Sequence, residues 1–145
     1  MARSEHSVTI ARPPDEVFDF VADGTQNQRW RPDVVDVERI GEGDRFGVGA
    51  TWRQGLRGPR GGRISNDYRI TVSERPSRLA FAVIAGPAQP SGTYTFTSTD
   101  GRQTTVTYVM DLQLRGLMRL VAPLISKKVL QDVTSLDNLK SVLER

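Results

Sequence analysis

The carboxy-terminal thirty residues constrain this chain most. Leu117, Leu120, Val121, Leu124, Ile125, Val129, Val133, Leu136, Leu139 and Leu143 recur at three-and-four spacing, the period of one face of an α-helix. A helix from Gly116 to Glu144 would be roughly 43 Å long at 1.5 Å per residue. Nothing else in the chain carries an apolar stripe of that length, and most of the remainder reads as strand. A helix with no helical partner of similar size has to bury its stripe against a sheet. Pro123 falls inside the pattern, where a mid-helix proline costs about 3 kcal/mol. The spacing therefore predicts either a kink there or a start near Val121. The apolar faces before and after Pro123 point in different directions, so the later half should seal the core and the earlier half cover an opening.

Upstream, His6, Val8 and Ile10 alternate with Ser7 and Thr9, a half-buried strand over about 5–11. Pro13 and Pro14, followed by Asp15 and Glu16, suit a first helical turn, and Val17, Phe18, Phe20 and Val21 continue it as a short amphipathic helix. A second short helix is expected from Thr25 to Trp30, stopped by Pro32. Six strands follow, over 34–40, 50–56, 63–74, 79–85, 93–98 and 103–114, separated by turns such as Gly58-Pro59-Arg60-Gly61-Gly62 and Asp100-Gly101. Each strand is apolar on one side and rich in Arg, Thr, Ser and Asp on the other, the pattern of an antiparallel sheet covered on one face. The expected fold is α+β. A curved antiparallel sheet of six to seven strands wraps around the long C-terminal helix, with two short helices between strands 1 and 2, in one domain over 1–145. Long sheets twist and curl, so a straight helix cannot sit flush on one. An apolar hollow should remain between them, the kind of place where small ligands bind.

Several chemistries are excluded. One histidine and no cysteine leave no His/Cys metal set and no thiolate redox site. No G-x-S-x-G nucleophile motif is present. Gly41, Gly43, Gly47 and Gly49 lie between strands rather than before a helix, against a dinucleotide loop. A carboxylate-only metal site stays open but no DxDxDG-like run is present, so no metal and no cofactor are expected. No apolar run is long enough to span a bilayer, so no integral membrane association is expected, and the amino terminus lacks an apolar signal core, which favours the cytoplasm. The net charge is +3, and 17 of the 20 basic residues are arginines scattered along the chain. The arginine-glycine stretch from Arg53 to Arg63 lacks interleaved aromatics for base stacking and reads as a solvated hairpin tip, so no nucleic-acid partner is expected. Both a monomer and a homodimer are compatible with the sequence.

Polar groups on the apolar face are the candidates for chemistry: His6, Gln54, Asn66 and the hydroxyls of Tyr68, Tyr94 and Tyr108. Either they line the hollow and orient a ligand, or they satisfy one another, backbone or water. His6, the only histidine, is the first choice for a general base at neutral pH, with Asn66, Tyr68 and Asp132 as further catalytic candidates. Lys128 and Asp132 lie one helical turn apart. They form an exposed i,i+4 pair, or they face the hollow, where Asp132 takes a proton and Lys128 holds a carboxylate or enolate. The candidate ligand contacts are Trp30, Trp52, Gln54, Asn66, Tyr68, Phe81, Tyr94, Phe96, Tyr108, Met110 and Leu124.

A set of motifs then runs the length of the chain: Val8-x-Ile10-x-Arg12-Pro13-Pro14-x-x-Val17-Phe18-x-Phe20-Val21, Trp30, Gly49-Ala50-Thr51-Trp52 and Val72-x-Glu74-x-Pro76-x-Arg78-Leu79. Gly101 ahead of Thr105-Val106-Thr107, and Leu136-x-x-Leu139-Lys140, complete it. In order and spacing this resembles the START-like helix-grip superfamily (SRPBCC), and within it the bacterial polyketide cyclase/dehydrase branch. The resemblance implies a cavity that holds something largely apolar, with Trp30 near its mouth or in the core. Members of the superfamily include lipid carriers, hormone and alkaloid binders, aromatase/cyclases and chaperone-activating domains. Three functions follow as expectations. The first is a binder of a small hydrophobic or aromatic, lipid- or polyketide-like ligand. The second is a cyclase/dehydratase, and the third a protein- or membrane-interaction module.

Overall fold

The computed structural model describes residues 2–41, 47–58, 60–86, 88–113 and 122–145, with the side chains of 2, 122–126 and 128 outside that description. Gly43, Leu114, the helical positions 116–121 and the side chains of Leu124, Ile125 and Lys128 therefore lie outside the described residues.

Strand β1 (Ala2–Ile10) ends before Pro13, and helix α1 (Pro14–Ala22) starts on Pro14 with Asp15 and Glu16 in its first turn. Proline needs no amide partner there, and the two carboxylates face the positive end of the helix. A 3-10 turn over Gly24–Gln26 leads into the single turn of α2 (Asn27–Trp30). The strands β2 (Val34–Ile40), β3 (Thr51–Arg57), β4 (Arg63–Ser65), β5 (Tyr68–Glu74), β6 (Arg78–Val83), β7 (Ser91–Thr97) and β8 (Thr104–Leu112) follow. All pair antiparallel in one curved sheet of order β1-β8-β7-β6-β5-β3-β2, with β4 on β3. β1 and β2 are neighbours in sequence but stand at opposite edges of this sheet. α1 and α2 must therefore carry the chain across it, α1 packing on β6 and β7. That crossing brings Asn27, Trp30 and the following Arg31 into the interior.

The sheet has eight strands because the stretch 63–74 is not continuous. Asn66 and Asp67 leave the ladder and bond elsewhere. Gln54 Nε2 donates to Asn66 Oδ1 at 2.9 Å, the Gln54 amide donates to Asp67 Oδ1 at 3.2 Å, and the Ile84 amide donates to the Asp67 carbonyl at 2.7 Å. Asn and Asp side chains compete with backbone ladders in this way. A register shift between Ile70 and Val72 then pairs Val72 with Ala80 and Ser73 with Leu79. A one-residue shift exchanges faces, so Val72 leaves the inner face on which alternation alone placed it.

The terminal rod is also divided. Its described part is α3 (Ala122–Thr134) and α4 (Leu136–Leu143). Pro123 lies in α3 as described, and residues 114–121, ahead of Ala122, lie outside the described residues. A break comes at Ser135, whose hydroxyl donates to the Asp132 carbonyl while the Asn138 amide bonds back to Ser135 at 2.9 Å. This is the tighter i→i+3 pattern. Val129, Val133, Leu136, Leu139 and Val142 are buried, with both helices packed on β1. Polar ties fasten α4 to the end of β1: Lys140 Nζ donates to the Thr9 carbonyl at 2.6 Å, and the Ala11 amide donates to Glu144 at 2.8 Å. Among the described residues no helix is long and apolar enough to cross a membrane.

Candidate functional site

The interior is assembled from α2, the inner faces of β3, β5, β6, β7 and β8, and α3. Its aromatic side chains touch in a chain. The rings of Tyr94 and Tyr108 stack at 4.2 Å, Phe81 lies 5.7 Å from Tyr68 and 6.1 Å from Tyr94, and Trp30 meets Tyr94 edge-on at 6.3 Å. Gly92 makes this possible, since a Cβ there would come within 2.5 Å of the Phe81 ring.

Among the described residues, two spaces lie in this interior. The inner one has a volume of about 20 Å³ and is bounded by Val21, Asn27, Arg31, Tyr68, Phe81 and Tyr94, enough for one or two water-sized groups. The outer one is a groove of about 170 Å³ between the sheet and α3. Its walls include Leu56, Ile64, Met110, Leu112 and Val129, with Ser65, Asn66 and Asp132 as polar members. A cavity of about 150 Å³ accommodates a benzene-sized ring. A polar cleft beside α3, lined by Arg31, Asp33, Asp132 and Asn138 among others, adjoins both.

A buried amide network forms the wall between these spaces. Asn27 Nδ2 donates to Gln54 Oε1 and to the Tyr68 hydroxyl, both at 2.9 Å, and Gln54 passes the chain on to Asn66. Gln54 is 1% exposed and belongs to the wall, while Asn66 and Tyr68 face the two spaces. Asn27→Ala should cost about 1–3 kcal/mol in urea unfolding, because it strands the buried Gln54 and Tyr68 oxygens without a donor. No loss of stability would show that the network is not held as described.

Arg31 is buried to 7% exposure. The Asp132 carboxylate is 4.0 Å from the guanidinium, and the Trp30 ring centroid is 6.0 Å from it. Burial disfavours its charge, yet at high pH the ionised Tyr108, Tyr94 and Tyr68, together with Asp132, outweigh that and hold its pKa above the ordinary arginine value. Burial in turn raises the tyrosines. Tyr94 is pushed up to about 12, and Tyr68 and Tyr108 also lie above the usual phenol value. At neutral pH all three are protonated, so none is a base.

Of the sequence candidates, Asn66, Met110 and Asp132 meet at the groove, and Tyr68, Phe81 and Tyr94 at the inner cavity. Tyr108 packs between Phe81 and Tyr94. The structure does not bring the others there. His6 sits at the seam of β1 and α4, with Nε2 at 2.9 Å from Asp137, because α4 lies over that strand. Trp30 is 2% exposed and its carbonyl accepts from Asn138. Trp52 is fully buried against Gly24, and Phe96 packs on Phe18. Asp132 pairs with Arg31, while the Lys128 and Leu124 side chains lie outside the described residues. In the arginine-glycine stretch, Arg53 and Arg63 pair with Glu38 and Asp36 of β2. Among the described residues no three His, Cys, Asp or Glu side chains cluster to hold a metal. Asn27 and Arg31 are the residues that sequence reasoning missed. Neither stands on an apolar stripe, and Arg31 is one arginine among 17.

A family profile described as "Polyketide cyclase / dehydrase and lipid transport" matches residues 1–144. Among solved structures, a START superfamily protein from Mycobacterium smegmatis is 11% identical over 99% of this chain and 98% of its own, with a TM-score of 0.75. The Zhui aromatase/cyclase from Streptomyces sp. R1128 is 18% identical over 97% and 94%, with a TM-score of 0.73. The di-domain aromatase/cyclase BexL is 16% identical, the match covering 99% of this chain and 50% of BexL, with a TM-score of 0.73. A search of curated protein sequences found no match. The neighbours share the helix-grip architecture, and the match from residue 1 to residue 144 places the chain in the polyketide cyclase/dehydrase and lipid transport family.

Proposed function

We propose that this protein binds a small apolar or aromatic molecule in the groove between its sheet and its C-terminal helix. The observation that carries this reading is the groove itself, about 170 Å³ with a mainly aliphatic wall and three polar residues, Ser65, Asn66 and Asp132, in its lining. Removing ligand surface from water there supplies about 25 cal/mol per Å², and Asn66 and Asp132 give orientation. A second reading is supported by Asp132, a carboxylate in the groove wall. A cyclase would use it as the proton acceptor while the groove holds a reactive carbonyl compound in position.

The test is a dye-displacement screen with a panel of one- and two-ring aromatics, followed by native mass spectrometry. Binding is expected in the micromolar range or tighter, and Ala88→Trp, which fills the groove from its wall, should weaken it at least tenfold. No binder across the panel, or binding unchanged by Ala88→Trp, would overturn the assignment.

A further inference from the structure

We infer that, with the groove as the binding site, its ligand carries a neutral hydrogen-bond acceptor on an apolar or aromatic frame, and that Asn66 Nδ2 is the donor that receives it. Three side-chain amides bond head to tail through the wall between the inner cavity and the groove. Asn27 Nδ2 donates to Gln54 Oε1 and Gln54 Nε2 to Asn66 Oδ1, each at 2.9 Å. A carboxamide has an acceptor end and a donor end. Run in this direction, the chain leaves an oxygen, Asn27 Oδ1, at its first end and a nitrogen, Asn66 Nδ2, at its last. Asn27 borders the inner cavity and Asn66 the groove. Among the described residues Asn66 Nδ2 has no hydrogen-bond partner and is not sealed from solvent. The residue is also held in place, since its main-chain amide donates to the Gln54 carbonyl at 2.8 Å.

Within the chain the opposite direction would bond equally well, so the charges at its two ends decide. Arg31 borders the inner cavity and not the groove, whereas Asp132 borders the groove and not the inner cavity. Amide dipoles orient in such a field, with the oxygen end toward the guanidinium and the nitrogen end toward the carboxylate. That is the direction observed. Of the three polar residues in the groove lining, Asp132 as a carboxylate only accepts, and the exposed Ser65 hydroxyl turns to either role. Asn66 Nδ2 is therefore the one fixed donor in that lining. A ligand acceptor buried elsewhere in the groove would lose its hydrogen bond to water without gaining another.

The probes are acetophenone and α-methylstyrene, which have the same shape and differ by a carbonyl oxygen against a CH2 group. Both are titrated into the full chain at neutral pH by calorimetry or ligand-observed NMR. Wild-type protein is expected to bind the ketone at least as tightly as the hydrocarbon, although the hydrocarbon is the more apolar. Asn66→Asp keeps the oxygen that accepts from Gln54 and puts a second oxygen where the nitrogen stood. It should lower the ketone-to-hydrocarbon affinity ratio about tenfold. Should Asn66→Asp fail to fold, Asn66→Ala decides in its place, with an expected fall of about threefold. A ratio unchanged in the variant that folds means that the amide turns its oxygen to the groove or does not reach the ligand. That result overturns the inference while the groove stands. Binding of neither probe also overturns it, and the groove reading falls with it only if the aromatic panel is silent as well.

Discussion

Raised through pH 10, the native protein should show no tyrosinate absorbance, and the signal of all three tyrosines should then appear together as the fold opens. The chain contains three tyrosines, Tyr68, Tyr94 and Tyr108, and all are buried in one cluster. An unfolded tyrosine ionises near pH 10, whereas burial holds Tyr94 up to about 12 and keeps the other two high as well. The folded state thus retains protons that the unfolded state has released. Stability is unaffected below about pH 10 and falls as pH rises above it. The slope is about 4 kcal/mol per pH unit when three protons are involved, which few domains of this size withstand for more than a unit or two. The check is a spectrophotometric titration run alongside far-UV circular dichroism. An independent phenol transition near pH 10, with the fold intact, would mean that these hydroxyls reach solvent.

Leu139→Ala should lower stability by about 2–5 kcal/mol, read as a shift of the urea midpoint at unchanged slope. Leu139 is fully buried, on the helix that closes the sheet against β1. Truncation removes apolar surface and leaves a cavity between two elements that are also tied by Lys140 and Glu144, so the site cannot easily collapse. Leu130, half exposed on α3, is the control, and Leu130→Ala should stay within about 0.5 kcal/mol. Similar losses at the two positions would mean that the helix presents a different face to the sheet.

Periodicity carried the fold a long way, and its failures are local. Val129, Val133, Leu136 and Leu139 of the terminal stripe, the two short helices and the alternation of β3, β7 and β8 appear where residue spacing put them, because burial on one face demands a repeating pattern. The unbroken strand over 63–74 did not survive, and the terminal helix breaks at Ser135, where spacing gave no signal. In both places a short polar side chain, Ser135 in one and Asp67 in the other, takes a backbone group as its hydrogen-bond partner. Such a choice depends on which partner is near in space.

The site was legible in the same proportion. Asn66, Tyr68, Phe81, Tyr94, Met110 and Asp132 could be picked out because they lie on, or on the extended line of, an apolar face, and they do border the two spaces. His6 could not be separated from them by sequence, since its strand alternates in the same way. Only the docking of α4 over β1 turned it toward Asp137.

Taken alone, the sequence determined the class of fold, the buried face of the strands apart from the end of β5, and the presence of a helix closing the sheet, since these follow from the order and period of apolar residues. Tertiary structure decided which charge is inside. Arg31 becomes an interior group because the chain between two opposite edge strands has to cross the sheet, and proximity across that crossing, absent from any local pattern, sets it against Asp132 and the three tyrosines.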